Sequence, residues 1–178
     1  KIKTVILSDD LQAPAKNFCD EIIITNYNNL KKIDNFVNKV DFVTFEFENI
    51  PFNILEHISK RKPVNPKPSI NQILQNRFAE KKFVNKQGIK TTNYILIKNK
   101  LDLLNNQALL PGFLKTCTLG YDGKGQYVLN NKDEIDDFNI DFKKEYILEK
   151  KINLKKEISI IITRFLNNEC LIYEPIEN

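Results

Sequence analysis

The residues best suited to chemistry in this chain lie in one glycine-rich stretch, Gly120–Gln126, with the sequence Gly-Tyr-Asp-Gly-Lys-Gly-Gln. Three of the chain's five glycines fall within these seven positions. Because glycine adopts positive φ angles freely, such a loop can turn sharply and direct several backbone N–H groups at one point. A concave group of N–H donors attracts anions, and the ammonium of Lys124 adds to that attraction. The stretch therefore predicts an anion-binding loop.

The sequence on either side predicts that this loop joins two strands. Phe113–Thr116 precede it and Gln126–Leu129 follow it, and the Asn130-Asn131 turn closes the second strand. Phosphate loops and dinucleotide-binding loops join a strand to a helix instead. The stretch is therefore either an ordinary glycine-rich hairpin or a flap over a phosphate, and Lys115 on the entering strand favours the flap. A protein kinase flap is followed, not preceded, by its lysine, which disfavours that class.

A second candidate group is a pair of carboxylates at the end of a predicted strand, Phe42–Phe47. Strand alternation places Val43, Phe45 and Phe47 on one face and Thr44, Glu46 and Glu48 on the other. Open α/β sheets bind ligands at the carboxyl ends of their strands. Glu46 and Glu48 are therefore either surface charges or ligand contacts.

The first third of the chain supplies the elements that would position these carboxylates. Strand and helix patterns alternate, in the order Val5–Leu7, Glu21–Thr25, Asn29–Val37, Phe42–Phe47, Pro51–Arg61 and Val64. Alternation of this kind predicts an α/β fold with a parallel, doubly wound sheet. Three prolines in Lys62–Pro68 indicate a linker. The next helix is predicted to start with Ser69 as N-cap, to break near Asn76-Arg77 and to stop at Gly88.

The rest of the chain is rich in strands. The predicted elements are the strand Tyr94–Ile97, the helix Leu101–Asn105, the flap hairpin, the helix Asp133–Phe138 capped by Asn131 or Asp133, and the strands Tyr146–Leu148, Glu157–Thr163 and Cys170–Tyr173. We therefore divide the chain into residues 1–66, a parallel-sheet domain, 67–90, linking helices, 91–148, a small α+β lid, and 149–178, the start of a third domain.

Composition excludes several classes of protein. The chain has 178 residues, 42% hydrophobic and 28% charged, which is typical of a globular fold. Its net charge of +4 comes from dispersed lysines, so we expect no nucleic-acid partner. Three widely spaced cysteines indicate reduced thiols in a cytoplasmic protein, and the apolar runs are too short to cross a membrane. Since the chain has no Met and opens on a strand, we expect an internal piece of a longer protein.

A lysine strand, a glycine flap, an apolar strand ending in a carboxylate and a further strand carrying Glu157 together resemble the nucleotide site of the ATP-grasp family. Within that family the chain is most similar to the 5-(carboxyamino)imidazole ribonucleotide synthases of purine biosynthesis. The similarity runs almost end to end and is carried by residues 41–51, Asn76-Arg77 with Glu80-Lys81, 115–126, Glu149, 156–159 and 173–178. Cys117 and Thr118 depart from the family, which often has two arginines there.

The resemblance implies a fold and a set of site residues. The fold would be an ATP-grasp with a preceding Rossmann-like parallel-sheet domain, an α+β lid and a truncated C-terminal ATP-grasp domain. The implied ATP-binding residues are Arg77, Lys115, Gly120, Tyr121, Asp122, Gly123, Lys124, Gly125, Gln126, Glu149, Lys150, Lys151, Ile152 and Glu157. Glu46 and Glu48 would line the aminoimidazole ribonucleotide pocket, and the implied catalytic residues Tyr121 and Lys124 would border bicarbonate.

The resemblance also implies a reaction. ATP would phosphorylate bicarbonate to carboxyphosphate, whose CO₂ is captured by the amine of aminoimidazole ribonucleotide. Mg²⁺ would bridge the phosphates, with ligands downstream of Asn178 and none in this chain, so we expect residues 1–178 alone to be inactive. The family suggests a homodimer. The alternatives are an ATP-using glycinamide ribonucleotide transformylase, which shares the architecture, or a non-catalytic nucleotide-binding module, whereas His57 is expected to be an ordinary helix residue.

Overall fold

The structure, a computed structural model, describes residues 2–120, 124–137, 140–165 and 167–178. Its helices are α1 (Leu30–Lys39), α2 (Phe52–Ser59), α3 (Pro68–Leu74), α4 (Arg77–Lys86), α5 (Lys100–Asn105) and α6 (Asp133–Asp137). Its strands are β1 (Val5–Ser8), β2 (Glu21–Ile24), β3 (Val43–Thr44), β4 (Val64–Asn65), β5 (Tyr94–Ile97), β6 (Gly112–Thr116), β7 (Gln126–Leu129), β8 (Tyr146–Lys150), β9 (Ile158–Ser159), β10 (Ile162–Arg164), β11 (Cys170–Ile172) and β12 (Ile176–Glu177). Pro14–Phe18 and Gln107–Leu109 form short 3₁₀ segments.

The N-terminal region contains two parallel strand pairs, β1 with β2 and β3 with β4. Helix α1 begins at Asn29, whose side chain accepts the backbone N–H of Lys32, and its apolar residues follow the helical spacing that the sequence predicts. One core joins these helices and strands, and its buried residues are Ile33, Phe36, Val37, Val43, Ile54, Leu55, Ile58 and Val64. The predicted parallel α/β class is therefore confirmed for this region.

The third strand is shorter than predicted. It pairs with β4 through Val43↔Val64 and Thr44↔Asn65 and ends there. The residue after Asn65 is Pro66, which has no N–H to donate, so the ladder cannot continue. Glu46 and Glu48 consequently follow the strand in a loop, and the expected alternation of faces does not extend to Phe47, whose side chain is exposed.

The predicted helix start at Ser69 is wrong. Helix α3 begins at Pro68, with Lys67 as its N-cap in an extended conformation and no side-chain cap. Proline suits the first helical position because its φ is already helical, and it keeps the preceding residue extended. The predicted break near Asn76-Arg77 is present, since the Asn76 side chain accepts the backbone N–H groups of Phe78 and Ala79 and starts α4. Gly88 follows this helix with φ of +81°.

The middle of the chain forms a four-stranded sheet, here called the central sheet, with strand order β5-β8-β6-β7. All its pairings are antiparallel. Helices α5 and α6 contribute Leu103 and Ile135 to the core on one face, where they join Ile97, Leu114, Leu129, Tyr146 and Leu148. The other face meets α4, since the Phe78 ring packs edge-on against Tyr94 with centroids 5.8 Å apart.

The predicted strand Glu157–Thr163 is divided in two. Ser159 pairs with Ile176, and Ile162 pairs with Ile172. The segment between Ile172 and Ile176 is one residue longer than the segment between Ser159 and Ile162 that it faces. The longer segment contains Pro175. A one-residue excess is a bulge, and proline lacks the N–H that a continuous ladder needs, so the pairing is interrupted.

His57, the only histidine, joins α2 to α1. Its Nε2 lies 2.8 Å from Oδ1 of Asp34, and Nη1 of Arg61 donates to the same oxygen at 2.9 Å. The hydrogen bond to His57, followed by the positive charges of His57 and Arg61, lowers the pKa of the Asp34 carboxyl. The histidine thus has a structural contact in the helix pair, which agrees with its expected ordinary role.

None of the helices within the described ranges has the length and apolar character needed to cross a membrane.

Candidate functional site

A row of three side chains crosses the central sheet on the face that α4 covers. The register places Tyr94 opposite Glu149 and Glu149 opposite Phe113, so an acidic side chain lies between two aromatic rings on adjacent strands. Lys115 lies two residues beyond Phe113 on the same face. The alternation that buries Leu114 and Leu148 in the core thereby directs Lys115 and Glu149 to the opposite side.

Two lysines converge on the central carboxylate. The ammonium of Lys115 donates to Oε2 of Glu149 at 2.9 Å, and the ammonium of Lys81, from α4, lies 3.4 Å from Oε1. Each lysine also lies over a neighbouring ring, Lys115 at 5.6 Å from the centroid of Phe113 and Lys81 at 5.9 Å from that of Tyr94. Glu149 is only 7% exposed, and the two ammonium groups offset the cost of burying its carboxyl group.

These residues border a cavity of about 250 Å³ between α4 and the central sheet. Its lining consists of Arg77, Glu80, Lys81, Val84, Thr91, Lys115 and Glu149. The α4 residues follow helical spacing, so one face of the helix forms a wall of the cavity. Three cations face two carboxylates here, which leaves one formal positive charge and makes the cavity suitable for an anion.

The start of α4 is attached to the base of the flap. The backbone N–H of Arg77 donates to the Cys117 carbonyl at 2.8 Å, and its guanidinium donates to the Gly120 carbonyl at 2.7 Å. Arg77 lines the cavity and, through its bond to the Gly120 carbonyl, holds the start of the flap beside it. Tyr121, Asp122 and Gly123, predicted as flap residues, lie outside the described residues.

The exit of the flap depends on Gly125. Its φ is +70°, and a β-carbon at this position would lie 2.6 Å from Oγ1 of Thr116. The Gly125 carbonyl also accepts the Thr116 backbone N–H at 2.8 Å. Both the conformation and the close approach require glycine, and Gln126, which follows Gly125, pairs with Lys115 at the start of β7.

A second cavity, of about 280 Å³, lies on the other side of Arg77. Its lining consists of Glu48, Asn49, Leu74, Gln75, Arg77, Glu80, Cys117, Leu119 and Gly120. The Gln75 side chain donates to the carbonyl of Glu48 at 2.6 Å and to that of Ile50, which fixes the loop after β3 against the end of α3. Both residues of the predicted pair, Glu46 and Glu48, are exposed, and only Glu48 belongs to the lining of this cavity.

Glu149, Lys150, Lys151 and Ile152, which the resemblance implies bind ATP, form a continuous hinge segment at the end of β8. The backbone N–H of Lys150 donates to the Asn93 carbonyl, the Lys150 carbonyl accepts the Thr92 hydroxyl at 2.7 Å, and the Lys151 N–H donates to the Pro111 carbonyl. Ile152 lies beyond these bonds and is exposed. Glu157 is exposed as well, and its carbonyl accepts the Asn178 N–H, so neither residue lines the two cavities described above.

Cys117 lies under the flap and is only 2% exposed. Burial, with a smaller contribution from the Glu145 carboxylate, raises the pKa of its thiol to about 11. A thiol of this kind is protonated at neutral pH and is a poor nucleophile. We therefore assign Cys117 a packing role at the base of the flap.

The structure brings together Arg77, Lys115, Glu149 and the described part of the flap. Sequence reasoning did not assign Lys81, Glu80 or Gln75 to a site, although Lys81 lies one helical turn after Arg77. That spacing, on a helix that was predicted to break near Asn76-Arg77 and to stop at Gly88, was the available signal for Lys81.

The fold is that of a known class. A model of the ATP-grasp domain matches residues 82–178, and a model of the ribonucleotide synthetase pre-ATP-grasp domain matches residues 1–75. The chain belongs to the ATP-grasp family. The fold class expected from the sequence, an ATP-grasp region preceded by a parallel α/β domain, is therefore confirmed.

Named relatives narrow the class further. The N5-carboxyaminoimidazole ribonucleotide synthase of Brucella melitensis is 32% identical over 99% of this chain and 50% of its own length. That of Staphylococcus aureus strain COL is 31% identical over 99% of this chain and 48% of its own length. The crystal structure of N5-carboxyaminoimidazole synthetase from Staphylococcus aureus complexed with ADP has a TM-score of 0.90 at 31% identity, over 99% of this chain and 48% of that one. The resemblance to this synthase family is confirmed, and the chain spans about half the length of these relatives.

Proposed function

We propose that this chain contributes the nucleotide-phosphate cavity and part of the acceptor pocket of an enzyme that carboxylates aminoimidazole ribonucleotide with ATP and bicarbonate. The observation that carries the proposal is the net-positive cavity in which Lys81 and Lys115 contact Glu149. Of these residues, Lys115 lies on the strand that enters the glycine flap. The names of its relatives and the ADP complex of the Staphylococcus aureus protein support the proposal.

The nucleotide would occupy the first cavity. Arg77 and Lys115 would bind its phosphates, because an arginine fork and a lysine ammonium are the usual partners of phosphate oxygens. The flap, Gly120–Gln126, would close over them. Among the described residues, the N–H of Ile152 has no protein acceptor, so it is the hinge donor that we assign to adenine, and Glu157 would accept the ribose hydroxyls.

The acceptor would occupy the second cavity. Glu48, with Glu46 nearby in the same loop, would bind aminoimidazole ribonucleotide, while Tyr121 and Lys124 would border bicarbonate. The γ-phosphoryl group passes to a bicarbonate oxygen and ADP leaves. Carboxyphosphate then breaks its C–O bond to give CO₂ and phosphate, and the exocyclic amine attacks CO₂, forming the N–C bond and giving up a proton to solvent. Arg77 borders both cavities and lies where the negative charge of the transferred group must be stabilised.

Magnesium would neutralise phosphate charge in such a reaction. The described residues contain no group of three or more His, Cys, Asp or Glu side chains that could hold a metal ion, so they do not fit Mg²⁺ as a resident group. We assign no step to Mg²⁺ in this chain, and we propose that residues 1–178 alone do not turn over. Homodimer formation and a cytoplasmic location belong to the same proposal.

The test is a steady-state assay of the full-length protein with ATP, Mg²⁺ and bicarbonate. We expect ADP release that depends on aminoimidazole ribonucleotide. Glycinamide ribonucleotide with formate is the matched control and should give background only. ADP release that depends on glycinamide ribonucleotide would instead indicate the sister transformylase, and nucleotide binding with neither acceptor active would indicate a binding module.

A further inference from the structure

Lys81 has the features of a ligand contact rather than of a surface lysine. It projects from the α4 face that lines the first cavity, its ammonium lies 3.4 Å from Glu149 and 5.9 Å from the centre of the Tyr94 ring, and its side chain is 21% exposed. On the opposite side of the same carboxylate, Lys115 has the same exposure and a corresponding ring contact. The two lysines are thus similar in position, although only Lys115 lies on the strand that enters the flap.

We propose that Lys81 is a second lysine contact for the nucleotide phosphates and works as a pair with Lys115 across Glu149. This inference rests on the proposed ATP site and adds to it a residue on the linking helix α4.

The geometry gives three reasons. A single carboxylate cannot neutralise two ammonium groups, so the pair retains a positive charge. The Lys81 contact, at 3.4 Å, is longer than an ordinary charge-assisted hydrogen bond, whereas the Lys115 contact, at 2.9 Å, is within that range. Each ammonium also has three N–H donors, and one bond to Glu149 leaves donors to direct into the cavity.

The position of Lys81 on its helix supports the same assignment. Arg77 and Lys81 are four residues apart and lie on one face of α4, so both cations border the same cavity. Arg77 is held by the flap at Gly120. A phosphate chain that extends from Lys115 toward the flap would therefore pass between Lys115 on the central sheet and the two cations of α4.

The competing interpretation is that Lys81 serves only to neutralise the buried Glu149. Under that interpretation its loss acts through Glu149 and affects every ligand of the pocket equally. Under the proposal its loss affects ligands in proportion to their phosphates. The two interpretations therefore differ in an experiment that compares ADP with adenosine.

The test uses the full-length protein and isothermal titration calorimetry with ADP and with adenosine. Lys81→Met removes the charge and keeps the stem that packs near Tyr94. We expect the Kd for ADP to rise at least tenfold and the Kd for adenosine to change less than threefold. Lys82→Met removes the same charge from the exposed neighbouring residue. It should leave the Kd for ADP and the Kd for adenosine within about twofold of the values for the unsubstituted protein. Unchanged thermal unfolding of both variants checks that they fold.

A second comparison separates contact from charge compensation. In a Glu149→Gln background, Lys81→Met should still weaken ADP binding by a similar factor, because the phosphate contact does not need the carboxylate. Loss of the Lys81 effect in that background, or equal effects on ADP and adenosine, would overturn the assignment. Failure of the unsubstituted protein to bind ADP would overturn the proposed function itself, whereas normal ADP binding with Lys81→Met equal to Lys82→Met would overturn only the role of Lys81.

Discussion

Oε2 of Glu149 lies 2.9 Å from the ammonium of Lys115, although 34 residues separate them in the chain. They meet because β6 and β8 are neighbours, with Phe113 opposite Glu149. In the absence of ligand, the cavity therefore contains its own anion, which holds the cations in place. If a nucleotide phosphate binds in this cavity, as proposed, it would have to compete with this carboxylate for its lysines or share them.

Lys115→Ala should weaken ATP binding. The substitution removes a charge-assisted contact worth about 1.5–3 kcal/mol, so we expect the Kd to rise by about tenfold or more. Titration calorimetry on the full-length protein measures this change. Lys132→Ala, at an exposed lysine after β7, is the control for general charge loss and should bind ATP normally. An unchanged Kd for Lys115→Ala would remove that residue from the site.

Gly125→Ala should destabilise the protein more than Gly88→Ala. Both glycines have positive φ, +70° and +81°, so both substitutions carry a backbone cost of about 1–2 kcal/mol. Only at Gly125 would the new β-carbon also meet Thr116, at 2.6 Å, whereas nothing lies within 4 Å of the one at Gly88. Urea denaturation measures the two free energies of unfolding. If the two substitutions lowered the free energy of unfolding equally, the backbone at Gly125 would accommodate a β-carbon beside Thr116.

Glu48→Gln should raise the KM for aminoimidazole ribonucleotide and leave the Kd for ATP unchanged. Glu48 lines the second cavity, and the first cavity, with Lys115, lies beyond Arg77. Glu46→Gln, two residues away on the same loop and outside the cavity lining, should raise this KM by a smaller factor. Steady-state kinetics together with ATP titration provides both quantities. If Glu48→Gln instead changed only the Kd for ATP, the nucleotide and acceptor assignments of the two cavities would have to be exchanged.

Cys117 should resist alkylation while the protein is folded. Because burial raises the pKa of its thiol to about 11, only about one thiol in a thousand is ionised at pH 8, and the reactive fraction rises about tenfold per pH unit below that pKa. Mass spectrometry after iodoacetamide treatment should show labelling at the exposed Cys170 well before Cys117. Urea should abolish the difference. Rapid labelling of Cys117 in the native protein at pH 8 would contradict its burial.

The sequence predicted the elements whose periodicity is local and strong. Helix α1, the β6–β7 pair around the flap and the break before α4 lie where the pattern placed them, because capping residues and alternation act within a few positions. The end of β3 could not be predicted in this way. It depends on Pro66, the residue directly after the partner strand β4, which is distant in sequence from β3 and limits how far the ladder extends.

The candidate site was predicted only in part, because local periodicity identifies strand residues but not their partners on other strands. Lys115 and Glu149 were visible as strand residues, but the contact between them depends on strand order, which periodicity does not contain. Lys81 joins them only because α4 packs its Phe78 and Lys81 on Tyr94. The spacing from Arg77 indicated only the helix face on which Lys81 lies, and its contact with Glu149 follows from the packing of the helix on the sheet.

Arg77 borders both cavities, and its guanidinium is bonded to the Gly120 carbonyl of the flap. If nucleotide and acceptor occupy these two cavities, they share one cation and one flap entrance, and their binding is thermodynamically coupled. Such coupling is reciprocal, so any factor by which nucleotide alters the affinity for the acceptor is the factor by which the acceptor alters the affinity for nucleotide. Arg77 and Glu80 both line the two cavities, so these two side chains would carry part of the coupling, and removal of the Arg77 guanidinium should weaken it.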